Sequence, residues 1–322
     1  MAAVPEVLVI GAGLAGLTTA IVLAESGLRV AVRAREMPQH THSIAAAAIW
    51  APYLAAHASL TRWGRETLNV LRGLARQPGT GLRVVKGVEA VRADHREMPV
   101  PPWVVELDGR PCPVDDLPPG YAMGWQFEAP VADMPVYLRY LVVRLAEAGV
   151  PLDVGTVDSL RATAKEAPVV VNCSGLGARE LAEDGDVVPV RGQIVVVENP
   201  GIDCYFGEHS DDDNDQPTYI IPHGDYVVLG GTAELGRSDT LPDLAAAAAI
   251  VSRCAAVEPR LGQARVVSHR VGIRPVRSTI RLERDPDDGN VIHNYGHGGS
   301  GFSTVWGCAY EVTRLVHDML GA

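Results

Sequence analysis

The stretch VLVIGAGLAGLTTAIVLA, residues 7–24, constrains this chain more than any other. Its eighteen residues carry no charge, and an apolar run of that length is long enough to be read as a membrane span. Gly11, Gly13 and Gly16 interrupt it, however, where a span has no use for a turn. The preceding MAAVPE also lacks the Lys or Arg that opens a signal peptide. A different reading absorbs every residue. EVLVI is a short buried strand, GAGLAG breaks it, LTTAIVLAESG has helical spacing and stops at Gly27, and LRVAVRARE is a second strand. This is a right-handed βαβ unit with G-x-G-x-x-G between strand and helix. Gly11 permits the tight turn, Gly13 lets a pyrophosphate approach the backbone, and Gly16 lets helix and strand pack closely. The helix N-terminus then offers unpaired N–H groups to phosphate.

The fingerprint places an acid about twenty residues further on, against ribose hydroxyls. Glu36 fits that distance from Gly16, with Arg33 and Arg35 beside it, so NAD, NADP and FAD all stay open here. Two later stretches extend the same fold. APVVVNCSGLGAREL, residues 167–181, is a buried strand running through a glycine turn into a helix. Residues 291–320 give a strand, the turn GHGGSG and a long helix whose apolar positions Val305, Cys308, Val312, Leu315 and Met319 recur at helical spacing. A nucleotide fold built from both chain ends is more than a simple NAD domain, which is finished within the first half. The middle differs. VVPVRGQIVVVENP, TYIIPHG, YVVLGGTAE, ARVVSHRVGIRPV and TIRLERD are short β-type runs that predict an antiparallel sheet. VYLRYLVVRLAEAG and LPDLAAAAAIVSRCAAVEP are predicted helices.

Within GIRPVRS, strand alternation puts Gly272, Arg274 and Val276 on one face and Arg277 on the other. A guanidinium on a small, apolar face is costly unless an anion pairs with it. Either a carboxylate of the chain or a substrate supplies that anion. Bulk composition narrows the partner. A formal charge of −11 and the lack of any basic block argue against nucleic acid and anionic membranes. The five cysteines at 112, 173, 204, 254 and 308 are scattered and form no CxxC, which predicts free thiols in a reducing compartment. His293 and His297 have no further ligand at metal spacing, so no metal site is expected.

VIGAGLAGL, AAAAIWAPYL, VNCSGLGAREL, RGQI, YIIPHGDYVVLGGTAELG, GIRPVRSTIRLERD and VIHNYGHGGSGFSTVWGCAYE occur together and in order. As a set, spread from residue 7 to about 311, they resemble D-amino acid oxidase, a flavoprotein of the glutathione-reductase-like FAD class. The resemblance implies an α/β fold. A Rossmann-like FAD-binding domain would comprise residues 1–52, 132–184 and 286–322. Residues 53–131 and 185–285 would form a substrate-binding and interface domain with a mostly antiparallel sheet. It implies FAD as cofactor and oxidation of a D-amino acid to the imino acid, which hydrolyses to a 2-oxo acid and ammonia. Oxygen would reoxidise the flavin and give hydrogen peroxide.

Carried over residue by residue, Arg274 pairs with the substrate α-carboxylate and Tyr219 adds a hydroxyl hydrogen bond. The Gly299 carbonyl accepts from the amine, and Tyr53 lies near the pocket. The resemblance gives FAD to Gly11, Ala12, Gly13, Leu14, Ala15 and Gly16, to Arg35 and Glu36, and to His42 and Ser43. Ala47, Ala48, Val157, Ser174, Arg274, Gly298, Gly301, Phe302 and Ser303 complete that set. No residue is expected to act as acid or base, since positioning Cα–H suffices when a cofactor carries the hydride chemistry. The AAAAI run, residues 45–49, can press small side chains against the flavin ring, and the last helix can point its positive end there.

The chain also departs from the pattern. Asp215 stands where mammalian-type members carry a second tyrosine, and Ala51 where others carry glutamine. The acidic loop SDDDND, residues 210–215, if it borders the entrance, disfavours carboxylate side chains and tolerates neutral and basic ones. A glycine or sarcosine oxidase and a D-aspartate oxidase are the nearest alternatives. The expected partners are a D-amino acid and oxygen, and a homodimer is compatible with the resemblance. HDMLGA carries no peroxisomal address, which favours the cytoplasm.

Overall fold

The computed structural model describes residues 4–93, 98–209 and 216–321. The acidic loop at 210–215 lies outside them. The uncharged run becomes strand β1 (Val7–Ile10), a turn and helix α1 (Leu14–Glu25). Among the described residues no helix is long and apolar enough to cross a membrane. Helix α1 has no polar face because it has no wet face: Leu14 to Leu23 are almost all buried. The Thr18 hydroxyl, buried with them, donates to Leu14 O at 2.9 Å inside the helix.

Strand β2 (Val30–Ala34) closes the βαβ unit, followed by α2 (Leu60–Leu74), β3 (Leu82–Arg92), α3 (Pro102–Glu106), β4 (Arg110–Pro111) and β5 (Tyr121–Ala132). Next come α4 (Met134–Glu147), β6 (Leu152–Val154), α5 (Leu160–Thr163), β7 (Val169–Asn172) and α6 (Ala178–Leu181). A β-rich stretch then gives β8 (Val188–Glu198), β9 (Tyr205–Glu208), β10 (Tyr219–Pro222), β11 (Tyr226–Gly230) and β12 (Glu234–Leu235). Helix α7 (Leu244–Val257), β13 (Val266–Arg284), β14 (Val291–His297) and α8 (Gly301–Leu320) complete the order. Asp133, Ser159 and Asp243 cap α4, α5 and α7 by accepting from backbone N–H groups of the first turn.

The strands form one sheet with two regimes. β14, β7, β1, β2 and β6 lie side by side and parallel, with Val7 opposite both Val30 and Val169. β4, β5, β3, β9, β10, β11, β8 and β13 follow in spatial order, antiparallel except for the β3–β9 pair. β13 joins the regimes. Val266–Val276 pair with β8, and Arg281–Arg284 pair with β14. The sequence reading gives two separate runs here; the structure makes one strand of 19 residues. Residues 277–280 interrupt the pairing register rather than the direction of the chain.

Helix α8 packs on α1 and α2 with Val305, Cys308 and Val312 fully buried, while Leu315 and Met319 are partly covered. Gly307 meets the backbone of Trp63 in α2 so closely that any Cβ there would overlap it. Trp50 is a core residue whose Nε1 donates to Gly64 O at 3.1 Å.

Candidate active site

A cavity of about 800 Å³ runs from the glycine turn after β1 to the face of the antiparallel sheet. At the β1 end Gly11 has φ +111°, and a Cβ on it would lie 2.5 Å from Cys173 O. A Cβ on Gly16 would overlap the Gly11 carbonyl, so this glycine serves helix packing and does not itself line the cavity. The N-cap residue Gly13 brings no side-chain cap to α1 and no acid stands in its first turn, so its N–H groups beyond Leu14 keep their positive character. Ser43 Oγ accepts from Leu14 N at 3.0 Å and closes one wall. Arg35 and Glu36 line the cavity beyond β2, paired at 3.6 Å. Arg33 is committed elsewhere, in a bidentate bond to Glu166 at 3.0 and 2.8 Å.

Midway, Ala46, Ala47 and Ala48 present small side chains, and Ala48 is held at φ +57°. Two lining residues on β14 carry buried polar atoms that have no partner among the described residues, Asn294 Oδ1 and His297 Nε2. Burial pushes the His297 imidazole down to about 4, so it stays neutral at ordinary pH. His293 is different: it bonds Asn172 at 3.2 Å and Asp285 at 2.8 Å and belongs to the scaffold. Asn294 escaped the sequence reading, although a polar residue within an otherwise core-facing strand was a usable signal.

The GHGGSG turn is locked to residues 51–54. Tyr53 N donates to Ser300 Oγ at 2.6 Å, Ser300 Oγ donates to Tyr53 O at 2.8 Å, and Ala51 N donates to Ser303 Oγ at 3.1 Å. A Cβ on Gly299 would lie 2.6 Å from Tyr53 Cδ1. Ser303 is thereby a buried brace behind the cavity rather than part of its lining. All other residues named for the site from the sequence do line the cavity.

At the antiparallel face, Arg274 crosses from β13 onto Gly192 of β8, where any Cβ would overlap the guanidinium. Its Nη1 donates to Thr232 O at 3.1 Å, and among the described residues no carboxylate pairs with it. Its neighbours behave differently. Arg277, on the opposite face as alternation requires, meets Asp184 at 2.9 Å. The wholly buried Arg191 meets Glu234 at 2.5 Å and Asp239 at 3.2 Å. Tyr219 leans from β10 across Gly230 toward Arg274. Burial pushes its phenol up to about 12 although the Arg274 charge pulls it down, so it remains a donor. Glu89, Tyr205 and His209 line this end too, and the sequence reading missed them. In VVKGVEAVR, Glu89 is in phase with the inward Val85 and Gly87, which was the available sign.

Residues 6–315 match the family model of the FAD dependent oxidoreductases, DAO. The chain belongs to this DAO family. It is 49% identical over 318 residues to a D-amino-acid oxidase of Rubrobacter xylanophilus, covering 97% of this chain and 96% of that one. A D-amino-acid oxidase of Streptomyces coelicolor is 44% identical over 323 residues, covering 96% of each. In fold the chain is similar to a glycine oxidase from Geobacillus kaustophilus, with a TM-score of 0.81 at 20% identity over 98% of this chain and 95% of that one. FAD is the cofactor of this DAO enzyme, and the cavity fits it. The N-terminus of α1, which has no acid in its first turn, and the Cβ-free turn suit a pyrophosphate.

Proposed function

We propose that the chain is a D-amino acid oxidase acting on neutral and basic side chains and releasing a 2-oxo acid, ammonia and hydrogen peroxide. The observation that carries this reading is the Arg274 guanidinium, set into the cavity wall beside Tyr219 and paired with no carboxylate among the described residues. Arg274 takes the α-carboxylate in a two-pronged hydrogen bond, which fixes the orientation of Cα. The protonated Tyr219 hydroxyl donates to the same carboxylate, and the Gly299 carbonyl accepts from the amine. Tyr53 covers the site from the braced loop. Residues 11–15, Arg35, Glu36 and the turn at 298–302 would hold FAD, which would supply a two-electron acceptor for the hydride of Cα and a route for those electrons to oxygen. The chain's task is positioning and the exclusion of water.

Among the described lining residues, Arg274 is the single Lys or Arg at the antiparallel face, which leaves a substrate side-chain carboxylate without a counterion. This supports neutral and basic substrates over D-aspartate and D-glutamate. We also read residues 1–52, 132–184 and 286–322 as the FAD-binding part and 53–131 with 185–285 as the substrate part; the five side-by-side strands β14, β7, β1, β2 and β6 fall in the first set. Free thiols, four of them buried, support a cytoplasmic setting.

A peroxide assay with D- and L-amino acids plus glycine tests the activity. D-Methionine should bleach the flavin anaerobically and yield peroxide in air, while L-methionine should do neither. Turnover of glycine or sarcosine alone would move the chain to the related amine oxidases, and faster turnover of D-aspartate than D-methionine would overturn the proposed substrate class.

A further inference from the structure

At its antiparallel face the cavity wall holds, among the described residues, a buried charge without a fixed counterion, of opposite sign to Arg274. Glu89 is 7% exposed, on β3. Its Oε2 accepts from the Tyr205 hydroxyl at 3.0 Å, and its Oε1 lies 3.5 Å from His209 Nδ1. Among the described residues no lysine or arginine pairs with it, and a histidine is a cation only when protonated. The neighbouring Glu208 is committed to Arg92 at 2.8 and 2.9 Å and to the Tyr121 hydroxyl at 2.7 Å. A buried carboxylate without a lasting cation is costly.

The register puts that carboxylate in line with the substrate clamp. Glu89 pairs with Gly207, Gly207 with Tyr219, Tyr219 with Gly230, and Gly230 with Ile194, one residue per strand across β3, β9, β10, β11 and β8. Residues opposed in a ladder point to the same face. Glycines clear the row at two places. The Tyr219 ring lies over Gly230, while the Glu89 carboxylate and Tyr205 hydroxyl lie over Gly207; a Cβ at either glycine would overlap them. Those two glycines are two strand spacings apart, about 10 Å. An amino acid whose α-carboxylate sits at Arg274 and Tyr219 can therefore span the gap with a side chain of ornithine or lysine length.

We propose that Glu89 receives the terminal ammonium or guanidinium of a cationic D-amino acid held at its other end by Arg274, with Tyr205 fixing the carboxylate's orientation. The proposal rests on the D-amino acid reading of this site. It assigns the specificity to one side chain on β3, far in sequence from the motifs that carry the family.

The test uses the FAD-loaded enzyme and two probes that differ only in a terminal ammonium, ε-aminocaproate and caproate, titrated by the change in flavin absorption. In the wild type ε-aminocaproate should bind at least about tenfold more tightly, the effect of one charge-assisted hydrogen bond. Glu89→Gln, which keeps the shape and removes the charge, should abolish the difference. In parallel, the ratio of kcat/KM for D-lysine over D-norleucine should fall by a similar factor in the variant. Equal binding of the two probes by the wild type overturns the proposal, as does a preference that survives in Glu89→Gln. The wild-type comparison decides even if the variant does not fold. Absence of turnover with every D-amino acid would instead sink the proposed activity, and the binding titration would still report on Glu89.

Discussion

Arg274 and Arg277 sit three residues apart on β13 and face opposite ways. Arg277 is answered by Asp184, whereas Arg274, among the described residues, hydrogen-bonds the Thr232 carbonyl and no carboxylate. Alternation made this asymmetry legible in the sequence, because a strand with glycine and valine on one face leaves an arginine there unexplained. Replacing Arg274 with Ala should weaken apparent substrate binding by roughly 3–5 kcal/mol, seen as a rise in KM, with the flavin retained. Loss of flavin from the variant would mean that the residue holds the fold instead. Arg274→Lys should recover part of the effect, since a point charge replaces a planar fork. Tyr219→Phe should cost less, about 1.5–3 kcal/mol, the value of one hydrogen bond to a charged group. Glu89 was harder to read. Its inward phase on β3 is written in the sequence, but its alignment with Tyr219 exists only once β9 lies between β3 and β10.

At the scale of elements, local units were legible and pairing was not. β1, the glycine turn, α1 and β2 are specified within about thirty residues, with each step between neighbours in sequence. β13 looked like two runs because its partner changes from β8 to β14, and those strands belong to distant parts of the chain. The helices announce themselves through Asp133 and Asp243, which accept from first-turn N–H groups. One packing demand is sharp enough to test. Gly16 touches the Gly11 carbonyl, so Gly16→Ala must push α1 off the turn or bend the turn itself. The expected result is a folded protein with a lower Tm that loses FAD on gel filtration, shown by a reduced ratio of visible to ultraviolet absorbance. Gly307→Ala should differ. It separates α8 from Trp63 of α2, so Tm should fall while flavin is retained, as that contact lies away from the glycine turn.

Over the whole molecule, the cavity is assembled from both ends of the chain and from the middle, so residues with no local reason to be buried are carried inside together. Histidines show the cost. Burial holds His223 and His297 down to about 4, and it lowers His42, His57 and His293 as well. An unfolded histidine titrates near 6.5. Between that value and about 4 the unfolded chain binds protons that the folded chain refuses, so folding stability must fall as pH falls through this window. For His223 and His297 the loss is about 3 kcal/mol each by the lower end. The paired carboxylates Asp184, Asp285 and Glu208 are held below their ordinary values, so their contribution disappears only at lower pH. The onset of acid lability should therefore belong to histidine. Urea midpoints measured from pH 7 to pH 5 should decline steadily, and His223→Gln should flatten that slope. A midpoint that holds constant down to pH 5 would mean that these imidazoles find protons, or water, inside the folded protein.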